Sequence, residues 1–115
     1  MKKSGPTNPE LQKLIQELRE AWKKNKADIW KKMAEELQKP TRQRRIVNII
    51  RINKHTKPNE TIIVPGKVLG TGSMDHKVKV AAWQFSSSAR EKVTPITIQQ
   101  LIKENPKGKD VRIIG

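Results

Sequence analysis

The sequence predicts a mixed α/β fold: an N-terminal helical hairpin followed by irregular strand-strand-helix turns, all in a single compact domain. Two patterns carry this expectation. Up to Leu37 the apolar residues recur at helical spacing. From Ile46 onward, short β-branched runs alternate with segments that begin on capping residues. Length agrees, since 115 residues are enough for one domain and hardly for two.

Residues 1–7 read as a flexible basic tail, and residues 8–115 as the domain, with the hairpin in 8–39 and the mixed α/β part in 40–115. Asn8-Pro9-Glu10 has the marks of a helix start: a capping amide, proline in the first turn and an acid beside the helix N-terminus. Leu11, Leu14, Ile15, Leu18 and Trp22 then repeat at helical spacing, which predicts a helix from Pro9 to Trp22 or Lys23. The polar run Lys23-Lys24-Asn25-Lys26 reads as the break. Ile29, Trp30, Met33, Ala34 and Leu37 mark the second helix, which Pro40 ends, because the residue before a proline resists helical geometry.

Ile46, Val47, Ile49, Ile50 and Ile52 predict a strand that runs into a short helix near Arg51–Thr56. Lys57-Pro58-Asn59-Glu60 signals a turn and Thr61–Val64 a strand. The stretch Pro65–Gly72 holds too much glycine and proline for a regular strand, so turns are expected there. Val78–Trp83 is another strand. Ser86 and Ser88 are both candidate caps for a helix ending about Val93, and Ser88 has capping-box spacing to Glu91. Thr97 and Gln100 repeat that spacing ahead of Ile98, Leu101 and Ile102. Asn105-Pro106-Lys107-Gly108 stops that helix, and Val111–Ile114 closes the chain as a short strand.

Charge is the strongest functional signal. Lys and Arg number 25 against 11 Asp and Glu, for a net charge of +14. Such an excess repels itself and attracts a polyanion. Residues 1–40 carry a net +4, residues 60–85 +1 and residues 86–115 +3. Residues 41–59 carry +6, from six bases and no acid. Four of those six are arginine, whose planar fork matches phosphate. Apolar residues interleave with the charges, which points to a folded basic surface rather than a loose tail. The RNA-contact candidates are therefore Arg42, Arg44, Arg45, Arg51, Lys54, His55 and Lys57, with Lys67, Lys77 and Lys79 in support. Lys107, Lys109 and Arg112 form a second, weaker group. The four aromatics, Trp22, Trp30, Trp83 and Phe85, are expected in the core, so recognition should lean on backbone, 2′-hydroxyls and shape more than on base stacking.

Other chemistries find little support. The glycines between Gly66 and Gly72 match neither phosphate-loop nor dinucleotide spacing and read as tight turns or close approaches. Ser73, Asp75 and His76 lie within four residues of one another, poor spacing for a triad drawn from separate elements. With two histidines and no cysteine, no metal site or disulfide framework is expected, and the absence of cysteine is compatible with a reducing, intracellular compartment. No apolar segment follows the basic N-terminus as in a signal peptide, and no run is long enough to span a membrane. The sequon Asn59-Glu60-Thr61 therefore carries no weight.

Several ordered motifs resemble one family. These are Thr61-Ile62-Ile63-Val64-Pro65-Gly66-Lys67-Val68-Leu69-Gly70-Thr71-Gly72, Lys39–Arg45 with Val47-Asn48, Val80-Ala81-Ala82 with Phe85-Ser86, and Asn105-Pro106-Lys107-Gly108 with Val111–Gly115. They look like the archaeal and eukaryotic large-subunit ribosomal protein eighteen-e family, which is similar to bacterial large-subunit protein fifteen. The resemblance covers about Asn8 to Gly115, and the short length looks archaeal. It departs from the family pattern at Thr94-Pro95, where a glycine is expected within 91–97. The resemblance implies a structural, non-enzymatic role in the cytoplasmic large ribosomal subunit. Large-subunit ribosomal RNA and neighbouring ribosomal proteins would be the partners, with no cofactor, membrane or small-molecule substrate. Charge and size alone would also suit a DNA-binding chromatin protein. A small nucleic-acid-processing enzyme would want a carboxylate or metal-ligand cluster that the sequence lacks.

Overall fold

The computed structural model describes residues 8–39 and 45–114, and within them the chain folds as five helices and one five-stranded parallel sheet. Helix α1 is Pro9–Asn25. The Asn8 side chain accepts from the N–H groups of Glu10 and Leu11 at 2.8 and 3.3 Å, satisfying two otherwise unpaired donors. The helix runs two to three residues beyond its predicted end. Lys23 and Lys24 are good helix formers and sit favourably beside the helix C-terminus. The stop comes instead at Lys26, in left-handed conformation (φ 53°), whose N–H bonds the Trp22 carbonyl. Helix α2, Asp28–Leu37, packs against α1 as the predicted hairpin.

Strand β1 is short, Arg45–Asn48, and helix α3 begins at once, Ile49–His55. The short helix predicted near Arg51–Thr56 is present but starts earlier, so the predicted strand through Ile52 is mostly helix. Asn48 accepts the Ile50 N–H and caps α3, which turns Ile49 and Ile52 into the core at helical spacing. Local capping and burial overrule the β preference of the isoleucines.

Strand β2, Glu60–Leu69, passes straight through Pro65-Gly66, where turns were expected. Its pairing explains the tolerance. Thr61–Ile63 pair with β5 (Val111–Ile113), whereas Gly66–Leu69 pair with β1 on the same side. Pro65, which has no N–H, falls in the gap between those partners. The register with β3 (Val78–Phe85) also shifts between Val64 and Lys67. Proline is accepted where the ladder is already interrupted. Strand β4, Thr94–Ile96, was not foreseen. It is the edge strand beside β3, so Pro95 costs no interior ladder bond, and the family departure at Thr94-Pro95 is a strand.

Helix α4, Ser87–Lys92, is capped by Ser86, not Ser88, through a 3.2 Å bond from the Ala89 N–H. Helix α5, Ile98–Glu104, is capped by Thr97 as predicted.

The sheet separates two cores. Ile63, Ala81 and Ile96 face α1, α2 and α5, together with Leu11, Leu14, Leu18, Trp30 and Leu101. Their neighbours Ile62, Val64, Val80 and Ala82 point the other way, toward Ile49 and Ile52 of α3 and Ala89 of α4. Trp30 is fully buried and donates its indole N–H to the Pro106 carbonyl at 2.6 Å. Trp22, Trp83 and Phe85 are half-buried, and each packs against one of these cores.

Candidate nucleic-acid interface

Every pairing in the sheet is parallel, so the segments that lead into β2, β3 and β5 arrive at the same end. Those segments carry Lys57, Lys77, and Lys107 with Lys109, all exposed. The Asn59 N–H donates to the Lys77 carbonyl at 2.7 Å and ties the first two segments together. Helix α3 ends at the same rim, with Lys54 and His55 in its last turn, where cations sit favourably beside the helix C-terminus. Arg51 lies on the same exposed side of α3, three and four residues before them.

Lys54, His55, Thr56, Lys57, Glu60 and Arg112 line one open concavity on this rim. Its geometry is fixed by Glu60. The carboxylate accepts the Lys57 N–H at 2.9 Å and the Arg112 Nε at 2.6 Å, with Arg112 Nη2 at 3.3 Å. Arg112 Nη2 also donates to the His55 carbonyl. The Lys57 N–H, and then the Arg112 guanidinium, hold the Glu60 carboxyl below its ordinary pKa of 4.5. Arg112 is therefore committed largely within the protein, while the Lys54 and Lys57 side chains stay exposed. A neighbouring concavity is lined by Asn59, Thr61, Lys77, Val78, Lys79 and Thr94. Lys79 is partly neutralised there by Glu104 at 3.4 Å.

Lys107 and Lys109 are presented by a braced loop. Asn105 accepts the Lys109 N–H and donates to the Lys109 carbonyl. Gly108, at φ +63°, lies so close to Ile29 that a Cβ would come within 2.5 Å of its Cγ2. Lys24 and Lys103, not singled out from the sequence, share a concavity with Pro106 of this loop. Nothing local marks them, because only the fold brings the end of α1 to α5.

The fold does not gather all the candidates. Lys67 lies six residues along β2 from Thr61, the register partner of Lys79, or about 20 Å away at strand spacing. It belongs with β1 at the carboxyl half of the sheet. Arg42 and Arg44 lie outside the described residues, and only the backbone of Arg45 is described, at the start of β1.

The structure joins Asp75 and His76 to Thr56. His76 Nε2 is 2.8 Å from Thr56 Oγ1, and His76 Nδ1 is 3.2 Å from an Asp75 oxygen. The arrangement does not activate a nucleophile. Thr56 is buried, and its hydroxyl proton is donated to the Ile52 carbonyl at 2.6 Å, so the contact latches the loop before β3 onto α3. The glycines act similarly in packing. Gly70 sits against the first turn of α4, and Lys92 donates to the carbonyls of Gly70 and Gly72. Among the described residues no cluster of three or more His, Cys, Asp or Glu could hold a metal, and no helix is long and apolar enough to cross a membrane.

Comparison with known proteins gives a consistent result. Residues 9–96 match the family described as ribosomal proteins 50S-L15, 50S-L18e, 60S-L27A. The large ribosomal subunit protein eL18 of Methanothermobacter thermautotrophicus is 44% identical, over 99% of this chain and 98% of its own length. Its namesake from Sulfurisphaera tokodaii is 46% identical, over 97% and 96%. That from Archaeoglobus fulgidus is 47% identical, over 94% and 97%.

Proposed function

The chain belongs to the family of ribosomal proteins 50S-L15, 50S-L18e and 60S-L27A, and on that premise we propose that it is a structural constituent of the large ribosomal subunit that binds large-subunit ribosomal RNA through lysine and arginine contacts to phosphate. Its place is then the cytoplasmic ribosome, with ribosomal RNA and neighbouring ribosomal proteins as partners. The family is one of ribosomal proteins, and the chain is structural rather than enzymatic.

The observation that carries the RNA-binding part is the convergence of Lys54, His55, Lys57, Lys77, Lys107 and Lys109 at the amino end of one parallel sheet. The backbone at these positions is held by the end of α3 and by hydrogen-bonded turns, so less of the chain has to be ordered when it meets a folded phosphate surface. Arg51 would extend the contact along α3, and Arg42, Arg44 and Arg45 are further candidates from the same acid-free stretch of sequence. Lys79 and Arg112, each paired with a glutamate, would contribute less than the sequence alone implies.

The test is equilibrium binding to an archaeal large-subunit ribosomal RNA across a salt series, with duplex DNA as competitor. About six phosphate contacts give a log-log slope of roughly −4 to −5. RNA should outcompete the DNA. A slope near zero, or equal competition by DNA, would overturn the reading.

A further inference from the structure

The tip of the helical hairpin carries charge that the rim does not account for. The loop from Asn105 to Asp110 lies against this tip: a Cβ on Gly108 would come within 2.5 Å of Ile29, and the Trp30 indole donates to the Pro106 carbonyl. Lys24 and Asn25, at the end of α1, share a concavity with Lys103 and Pro106. Lys26 follows Asn25 as the last cap of α1. On α2, Lys32 stands one turn beyond Ile29, on the side of the helix that meets the loop. Lys24, Lys26, Lys32 and Lys103 are thus grouped around a loop that itself presents Lys107 and Lys109, and all are exposed. Among the described residues none of them makes an ion pair. Of the acids in these segments, Asp28, Glu17 and Glu104 are engaged by Trp22, Gln99 and Lys79, which leaves Glu20 and Asp110 beside these lysines.

Lysines near the end of a helix are ordinary, because they sit well beside its C-terminus. Lys26 is not explained that way. Its backbone is left-handed (φ 53°), a conformation that glycine adopts freely and that is strained for a residue with a side chain. The other non-glycine residues with positive φ, among the described residues, are Asn59 and Asp110, types that tolerate it. A glycine would end α1 with less strain, yet a long cation stands there, exposed and without an ion pair in the protein. Strain of this kind persists where the residue has a task beyond the fold. Charge selects the occupant. Lysine is a hydrated point charge that meets phosphate oxygens, and the exposed large apolar residues on which a protein segment would settle, Ile46 and Ile50, lie elsewhere. Through Lys107 and Lys109 the group is also continuous with the cationic rim.

We propose that the hairpin tip is a second phosphate-binding surface, on which Lys24, Lys26 and Lys32 hold RNA backbone beside the Lys107–Lys109 loop, and that the left-handed Lys26 is kept for that contact. This rests on the RNA-binding reading above. It carries the contact from the rim onto the hairpin, which the acid-free stretch of sequence does not reach.

The experiment compares the parent with Lys26→Gly alone and with a Lys24→Gln, Lys26→Gly, Lys32→Gln triple variant, in binding to an archaeal large-subunit ribosomal RNA across a salt series. The triple variant is expected to bind more weakly, with a log-log slope shallower by about 2–3, and Lys26→Gly with a slope shallower by about 1. Lys26→Gly should at the same time unfold at a higher urea concentration than the parent, so that stability and RNA affinity move in opposite directions. A lysine that served only the fold would move them together, so Lys26→Gly unfolding earlier than the parent would overturn the proposal. Should the triple variant fail to fold, Lys26→Gly decides alone. Parental affinity and parental slope, even with poor entry into subunits, would overturn the tip as an RNA surface and point to an acidic protein segment instead, while leaving the rim intact. Weaker binding at the parental slope would also overturn it, since no phosphate contact would have been lost. A parent chain without affinity for ribosomal RNA would overturn the function itself.

Discussion

Glu60 shows how single side chains set the shape of the rim. Its carboxylate bonds the Lys57 N–H and the Arg112 guanidinium, and so fixes the turn into β2 against β5. These partners lower its pKa in the folded state, so its contribution to stability is fully present above the unfolded value. The contribution fades as pH falls through the depressed folded value. Glu60→Gln should therefore destabilise the protein near neutral pH by about 0.5–1 kcal/mol, a modest figure because Arg112 is half exposed to solvent. The gap to the parent in urea unfolding should close once pH falls well below 4.5. A gap that widens with acid would contradict the assignment. Trp30 holds the Lys107–Lys109 loop through its bond to the Pro106 carbonyl. Trp30→Phe removes that bond and leaves unfilled volume, for an expected loss of about 1–3 kcal/mol in urea unfolding. Parental stability would show that the bond does no structural work.

At the scale of elements, the contact between the β2–β3 loop and α4 is the most exacting. A Cβ on Gly70 would lie 2.3 Å from the Ala89 backbone nitrogen, and backbone cannot yield as a flexible side chain does. Gly70→Ala should cost about 1–3 kcal/mol, read from the denaturation midpoint, by pushing α4 off its core. Ser86→Ala, which removes the α4 cap, should cost about 1 kcal/mol. Elements set by local chemistry were legible in the sequence. Asn8 and Thr97 cap the helices that their spacing predicts, and Ile62–Val64 alternates between two cores as strand residues do. Elements set by distant partners were not. Nothing near Pro65 announces that β2 changes neighbours there, and β4 exists because β3 offers Thr94–Ile96 an edge. The strand-to-helix change lay between: a short helix near Arg51–Thr56 was predicted, but the β-branched run hid its earlier start at Ile49 and its cap at Asn48.

For the whole molecule, the parallel sheet converts a dispersed charge pattern into surfaces. The acid-free stretch from Thr41 to Asn59 was visible as a count, and its Lys54, His55 and Lys57 do stand together at the end of α3. Their neighbours Lys77, Lys107 and Lys109 come from elsewhere in the chain, and only the common direction of β2, β3 and β5 brings them to the same end. The same geometry separates Lys67 from that group and gives it different neighbours, Ile46 and Gln84. The proposed binding of RNA phosphate by the rim is tested by the salt dependence of ribosomal RNA binding by a Lys54→Gln, Lys57→Gln, Lys77→Gln triple variant. These side chains are exposed, and the Lys57 N–H bond to Glu60 survives the change, so the fold should be kept. Weaker binding is expected, with a slope shallower by about 2–3 than that of the parent. Parental affinity with parental slope in the triple variant would rule out phosphate binding at the rim.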